Sequence, residues 1–186
     1  GDFQAAVRAQ TEAEAISKVL YPEDSTLAGK KLRLQQQYFF VAASIHDFIH
    51  NVLPGDFDLR RLHERVIFQL NDTHPVIAIP ELMRVLLDEN GLPWKQAWEV
   101  TRRCFAYTCH TLLPEALEVW PVDLLEELLP RHMEIIYRIN SLFLEEIAEA
   151  FPDNEWRVRR MSIIEEHPVR SVRMAYLATV CSSKVN

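Results

Sequence analysis

The sequence predicts a helix-rich α/β fold with a few short parallel strands, and three observations carry that prediction. Apolar residues recur at helical spacing through most of the chain. Two short β-branched and aromatic runs, 66–70 and 105–109, break that spacing and pass into polar loops. The first of these is followed by a helical pattern, which is the strand–loop–helix unit of an open sheet with buried parallel strands. At 186 residues a folded chain buries on the order of 70% of its extended surface, enough for one sizeable core. No internal domain boundary is therefore expected across residues 1–186.

Element by element, residues 3–20 are rich in strong helix formers, and Asp2 stands where an N-cap satisfies the first free amides. Pro22 disfavours the α region at Tyr21, so 21–26 read as a loop. Residues 27–50 form a second, longer helix whose broad apolar face (Leu34, Tyr38, Phe39, Ile45) predicts deep packing. Pro54 and Gly55 mark a connector over 52–58, followed by a short helical stretch at 59–65. The run 66–70 is a buried strand ending at Asn71-Asp72. Pro80 suits the first turn of a helix continuing over 81–90, and Gly91 closes it. Residues 94–103 are amphipathic, 105–109 are the second strand, and 110–114 the loop after it. A long helix spans 122–151 with Pro130 as a kink or junction. A short helix at 154–161, a final strand at 163–165 and a helix over 172–185 complete the chain.

Composition narrows the function classes. Twenty Lys and Arg against 27 Asp and Glu give a net charge of −7, which argues against nucleic acid and anionic lipid surfaces, since both need a cationic footprint. Every long apolar stretch meets a charge before the roughly 20 residues that cross a bilayer. Cys104, Cys109 and Cys181 form no Cys-x-x-Cys pair, which suits a reducing, cytoplasmic setting. With four glycines in all, there is no Gly-rich phosphate loop. The Gly-Asp-Phe start and Lys-Val-Asn end read as those of an excised segment.

In open α/β sheets, ligands bind beyond the carboxyl ends of the strands. The two strand ends here present Asn71-Asp72-Thr73-His74 and Cys109-His110-Thr111, sets of short donors and acceptors that a parallel sheet places side by side. A neutral His with an orienting Asp suits the hydroxyls of a sugar. The plainer alternative is that Asp72 and Thr73 only cap the next helix. His46 and His50 share a helix face, but no third metal ligand accompanies them at a recognisable interval, so no metal site is expected.

Residues 68–84, with QLNDTHPVIAIPELMR from Gln69, and 106–120, AYTCHTLLPEALEVW, closely resemble the α-glucan (glycogen or maltodextrin) phosphorylases. The likeness extends to Val19-Leu20-Tyr21-Pro22-Glu23-Asp24, Leu128-Leu129-Pro130-Arg131-His132 and Arg173-Met174-Ala175-Tyr176-Leu177, and so covers essentially the whole chain. It implies a central slice of the N-terminal domain of such an enzyme, one Rossmann-like half of a two-domain (GT-B type) glycosyltransferase. The activity implied is release of glucose 1-phosphate from an α-1,4-glucan by phosphate, in a homodimeric enzyme with pyridoxal phosphate. By the same resemblance, His110 hydrogen-bonds the glucosyl unit, Asp72 and His74 line the pocket, Asp24 and Ser25 belong to a gate loop, and Arg33 and Glu118 line the channel. The cofactor lysine, the residues binding the substrate phosphate and the glycine-rich loop of the family fall outside this slice, so the segment alone is expected to be inactive.

Three departures from the family pattern stand out. Cys109 replaces the usual Asn before the sugar-binding His. His50-Asn51 occupies the place of paired arginines that hold a nucleotide effector in animal enzymes, and neither offers bidentate geometry. Thr26-Leu27 replaces an aromatic pair in the gate loop. These point to a bacterial, largely unregulated type. The alternative function is a noncatalytic helical interaction or carbohydrate-binding module derived from the family.

Overall fold

The computed structural model describes residues 2–113 and 117–186; Gly1 and residues 114–116, including Pro114 of the predicted 110–114 loop, lie outside it. Helix α1 (Phe3–Lys18) starts where Asp2 accepts a hydrogen bond from the Gln4 amide at 3.0 Å. A loop then leads to α2 (Leu27–Asp47), capped by Thr26, whose hydroxyl accepts from the Gly29 amide at 3.1 Å. Tyr21 adopts φ +50°, the left-handed region rather than the extended one expected before proline, because the chain doubles back over the start of α2. Helix α2 runs on into a wide turn at Phe48–Val52 and a 3-10 turn at Leu59–Glu64.

The deep packing expected of α2 is realised on one stripe only. Leu34, Val41 and Ile45 are buried, whereas Phe39 and Phe40 remain 57% and 73% exposed. Helix α2 packs against α1 and α3, and Phe39 lines an open apolar groove beside them rather than entering the core.

Strand β1 (Phe68–Asn71) pairs in parallel with β2 (Phe105–Thr108), Asn71 lying opposite Thr108. The two polar strand ends thus sit side by side, as expected. β1 is shorter and less buried than predicted, with only Leu70 fully covered and Ile67 57% exposed, because it is the edge strand of a three-stranded sheet with β2 at its centre. The third strand, β6 (Lys184–Val185), was hidden in the predicted 172–185 helix. That segment is instead β5 (Ser171–Arg173), α8 (Met174–Cys181) and β6. Once α8 has buried Met174, Leu177 and Ala178, the backbone of the tail completes its hydrogen bonds only beside β2, the Asn186 amide donating to the Tyr107 carbonyl.

Between the parallel strands, α3 (Ala78–Arg84) is buried from Ala78 to Met83 and extends through a wide turn at Val85–Glu89 to Gly91 at φ +64°. Helix α4 (Trp94–Cys104) then feeds β2 directly. The predicted 122–151 helix is two helices, α5 (Val122–Leu128) and α6 (Pro130–Ala150), joined at Leu129, since Pro130 occupies the first turn of α6. Helix α7 (Glu155–Met161) is capped by Asn154, whose side chain accepts from the Arg157 amide. The predicted final strand exists as β4 (Ile164–Glu165), but it belongs to a second, antiparallel sheet of order β3-β5-β4, with β3 at Val119–Pro121. Cys104 and Cys181 are buried, and burial pushes the Cys104 thiol up to about 12, so neither is a thiolate nucleophile. Among the described residues no helix is long and apolar enough to cross a membrane.

Candidate functional site

The parallel strands end in a turn that, glycine apart, a short polar residue takes most easily. Asp72, at φ +59°, turns the chain sharply after β1, and its amide donates to the Thr108 carbonyl on β2 at 2.9 Å. In this pose Asp72 Oδ1 accepts the His110 backbone N–H at 2.8 Å, tying together the loops after the two strands. The His110 ring is exposed, with Nε2 3.2 Å from Asn71 Oδ1, a contact in which the imidazole donates when the proton is on Nε2. The Cys109 thiol donates to the Thr111 carbonyl at 2.9 Å.

Beside these loops lies a cleft of about 530 Å³ lined by Asp24, Lys30, Arg33, Asp72, His74, Thr111, Glu118 and Trp120, among others. It brings together five of the seven residues singled out in the sequence. Ser25 and the His110 ring lie outside this lining, Ser25 donating to Glu23 Oε1 at 2.6 Å within its own loop. Three carboxylates against two cations, with His74 exposed between them, make the cleft rich in acceptors. Such a lining suits a neutral polyol better than a free anion.

Glu118 anchors the cleft wall. Its carboxylate receives Arg33 Nη2 at 2.7 Å, Gln37 Nε2 at 3.1 Å and the Thr73 hydroxyl at 3.2 Å. Arg33 also donates through Nη1 to Asp24 at 2.9 Å, joining the 19–26 loop to the wall. The Glu118 side chain is 12% exposed and that of Asp24 62%, so the inner ion pair is shielded and the outer one is worth at most ~1 kcal/mol. The loop also rests on Gly29, where a Cβ would fall 1.6 Å from the Glu23 carbonyl oxygen. Gly29→Ala is therefore expected to unseat the loop, and cleavage after Glu23 by a Glu-specific protease should rise more than tenfold in the native protein. An unaltered cleavage rate would show that the close approach does not hold the loop.

Sequence reasoning missed Thr73, Gln37 and Lys30. The plainer alternative, Asp72 and Thr73 as caps of the next helix, does not hold: α3 begins without a side-chain cap and the Thr73 hydroxyl bonds Glu118 instead. Its position inside the Asn-Asp-Thr-His run was the available signal; Gln37, 81 positions from Glu118, had none. A second groove of about 560 Å³ lies between α2, α3 and the Leu128–Leu129 junction. It is mainly apolar and contains none of the predicted sugar-contacting residues. His46 and His50 stack there with ring centroids 4.2 Å apart, and among the described residues no three His, Cys, Asp or Glu side chains are grouped to hold a metal. The five lysines also fail as a pyridoxal phosphate site: Lys18 pairs with Glu14, Lys31 with Glu127, and Lys30, Lys95 and Lys184 are exposed.

The family profile described as carbohydrate phosphorylase matches residues 1–186. The chain is 52% identical to the liver form of glycogen phosphorylase from Ovis aries, over an alignment of 194 positions. It is 48% identical to glycogen phosphorylase from Pasteurella multocida and 50% identical to that from Synechocystis sp., each over 186 positions, the chain's own length. In each case the whole chain is covered, yet it spans only 22–23% of the relative. With a match over every residue, the chain belongs to the carbohydrate phosphorylase family.

Proposed function

We propose that the protein containing this chain is an α-1,4-glucan phosphorylase, and that residues 1–186 form part of its N-terminal domain and build one wall of the sugar pocket. The observation that supports this reading is the acceptor-rich cleft at the carboxyl ends of β1 and β2, beside a loop tied down by Asp24 and Arg33. Asp72 holds the His110 loop through the backbone, leaving its second oxygen for a sugar hydroxyl. His110 contributes its ring to the glucosyl unit, His74 lines the pocket beside it, and Ser25 moves with the gate. Glucan and phosphate are the partners of the whole enzyme, a cytoplasmic homodimer. Pyridoxal phosphate belongs to residues elsewhere in the polypeptide.

A bacterial, weakly regulated type is favoured by His50-Asn51, and by alignments with bacterial relatives that need no more positions than the chain has, whereas the liver form takes 194. His110→Ala in the full-length protein should lower glucan phosphorolysis more than tenfold, since a lost transition-state hydrogen bond costs roughly 1.5–3 kcal/mol. Unchanged kcat and KM would remove His110 from the site.

A further inference from the structure

We propose that Thr73, assisted by Gln37, is a positioning residue that keeps the 19–26 loop seated over the cleft by holding the Glu118 carboxylate. What the loop admits rests on the sugar-pocket reading above; how it is held does not.

Thr73 is fully buried, and its hydroxyl makes a reciprocal pair with one residue, accepting from the Glu118 amide at 3.3 Å and donating to Glu118 Oε2 at 3.2 Å. Gln37 Nε2 donates to the other oxygen, Oε1, at 3.1 Å. With both oxygens engaged by the protein, the carboxylate is fixed in direction before Arg33 reaches it. Arg33 then lies with Nη2 on Glu118 and Nη1 on Asp24, a planar fork whose two arms have defined angles. The 19–26 loop is held at its ends, where Gln36 Nε2 donates to the Val19 carbonyl at 2.7 Å and the Gly29 amide donates to the Thr26 hydroxyl, and beside its rest on Gly29 the Asp24–Arg33 pair is the side-chain tie at its middle. Loss of the Thr73 hydroxyl leaves Oε2 with only the long 3.4 Å contact from Gln37 Nε2 beside a water-accessible cleft, and a weakly held carboxylate oxygen turns toward solvent. The Arg33 fork turns with it, and Asp24 loses its partner.

The test uses the full-length protein and two substitutions at one position. Thr73→Val keeps the shape and removes the hydroxyl; Thr73→Ser keeps the hydroxyl and removes the methyl. Native-state cleavage after Glu23 by a Glu-specific protease is expected to be three- to fivefold faster in Thr73→Val and within twofold of the parent in Thr73→Ser. Where phosphorolysis is measured, KM for glucan should rise at least threefold in Thr73→Val with kcat within twofold. A Thr73→Val protein cleaved at the parental rate overturns the proposal, as does Thr73→Ser cleaved as fast as Thr73→Val, which would assign the effect to packing. If Thr73→Val does not fold, Gln37→Met takes its place under the same criterion. The cleavage readout needs no turnover, so absent phosphorolysis would count against the functional reading and leave the loop result intact.

Discussion

Glu81→Ala is expected to destabilise the fold by about 3 kcal/mol, because it breaks a buried ionic group from one side. Glu81 is 2% exposed in the middle of α3, and its two oxygens receive Arg84 Nη2 and Nε at 2.8 and 2.9 Å. His132 on α6, itself 3% exposed, sits with Nε2 2.5 Å from Glu81 Oε2 and its ring edge against Tyr38 of α2. The carboxylate therefore ties α3 to α6, and His132 in turn meets α2 through Tyr38. Removing it leaves the His132 nitrogen without a partner, whereas Arg84 keeps Glu89 at 2.8 Å. Denaturant unfolding of Glu81→Ala beside Glu81→Gln checks this, with Gln retaining the His132 contact and losing roughly half as much. A cost below about 1 kcal/mol for the alanine variant would show that the helices pack without the pair.

The same residue sets a pH dependence. Burial opposes ionisation of Glu81, but hydrogen bonds from Arg84 and His132 outweigh it and hold the carboxyl below its ordinary value of 4.5. A depressed folded value means stability that is fully present above the unfolded value and lost as pH falls through the folded one. Below pH 4.5 the parent should therefore lose stability more steeply than Glu81→Gln. Asp88, held low by Arg131, adds a loss of the same sign to both proteins and cancels in the difference.

Phe105→Ala is expected to cost about 4 kcal/mol, the range for deleting a buried aromatic ring and leaving its cavity. Phe105 is fully buried at the start of β2, with its ring 5.5 Å from that of Phe68, which in turn meets Phe48 at 5.7 Å. Its carbonyl accepts both the amide and the hydroxyl of Ser183, so it also holds the strand that follows α8. Because β2 leads directly to His110, the loss should reach the cleft. Thermal unfolding compared with Phe105→Leu, which restores much of the volume, separates the cavity from the change of shape. Equal losses in the two variants would assign the cost to the ring's shape, and melting temperatures equal to the parent's would mean that the ring packs without consequence.

The helices and the two parallel strands were legible because their cues are local: Asp2 as a cap, Gly91 closing a helix, Pro130 as a kink or junction, and the apolar runs 66–70 and 105–109. The strand-end polar residues were legible for the same reason, since a parallel pair must bring its two loops together. β3, β5 and β6 were not, because runs of two or three residues carry no period, and their pairing is decided by partners far away in sequence.

The amino-acid sequence by itself determined the helix-rich α/β class, the family and which short segments carry sugar-compatible chemistry. Only the tertiary structure decided that Glu118 is a braced anchor whose oxygens are engaged by Arg33, Gln37 and Thr73, that Asp72 acts on the His110 backbone, and that Glu81 and His132 meet in the core. Spacing along the chain predicts which residues share an element. It does not predict which donor reaches a buried carboxylate from 45 or 81 positions away, because that choice is made by the need to satisfy every polar atom once the core has closed.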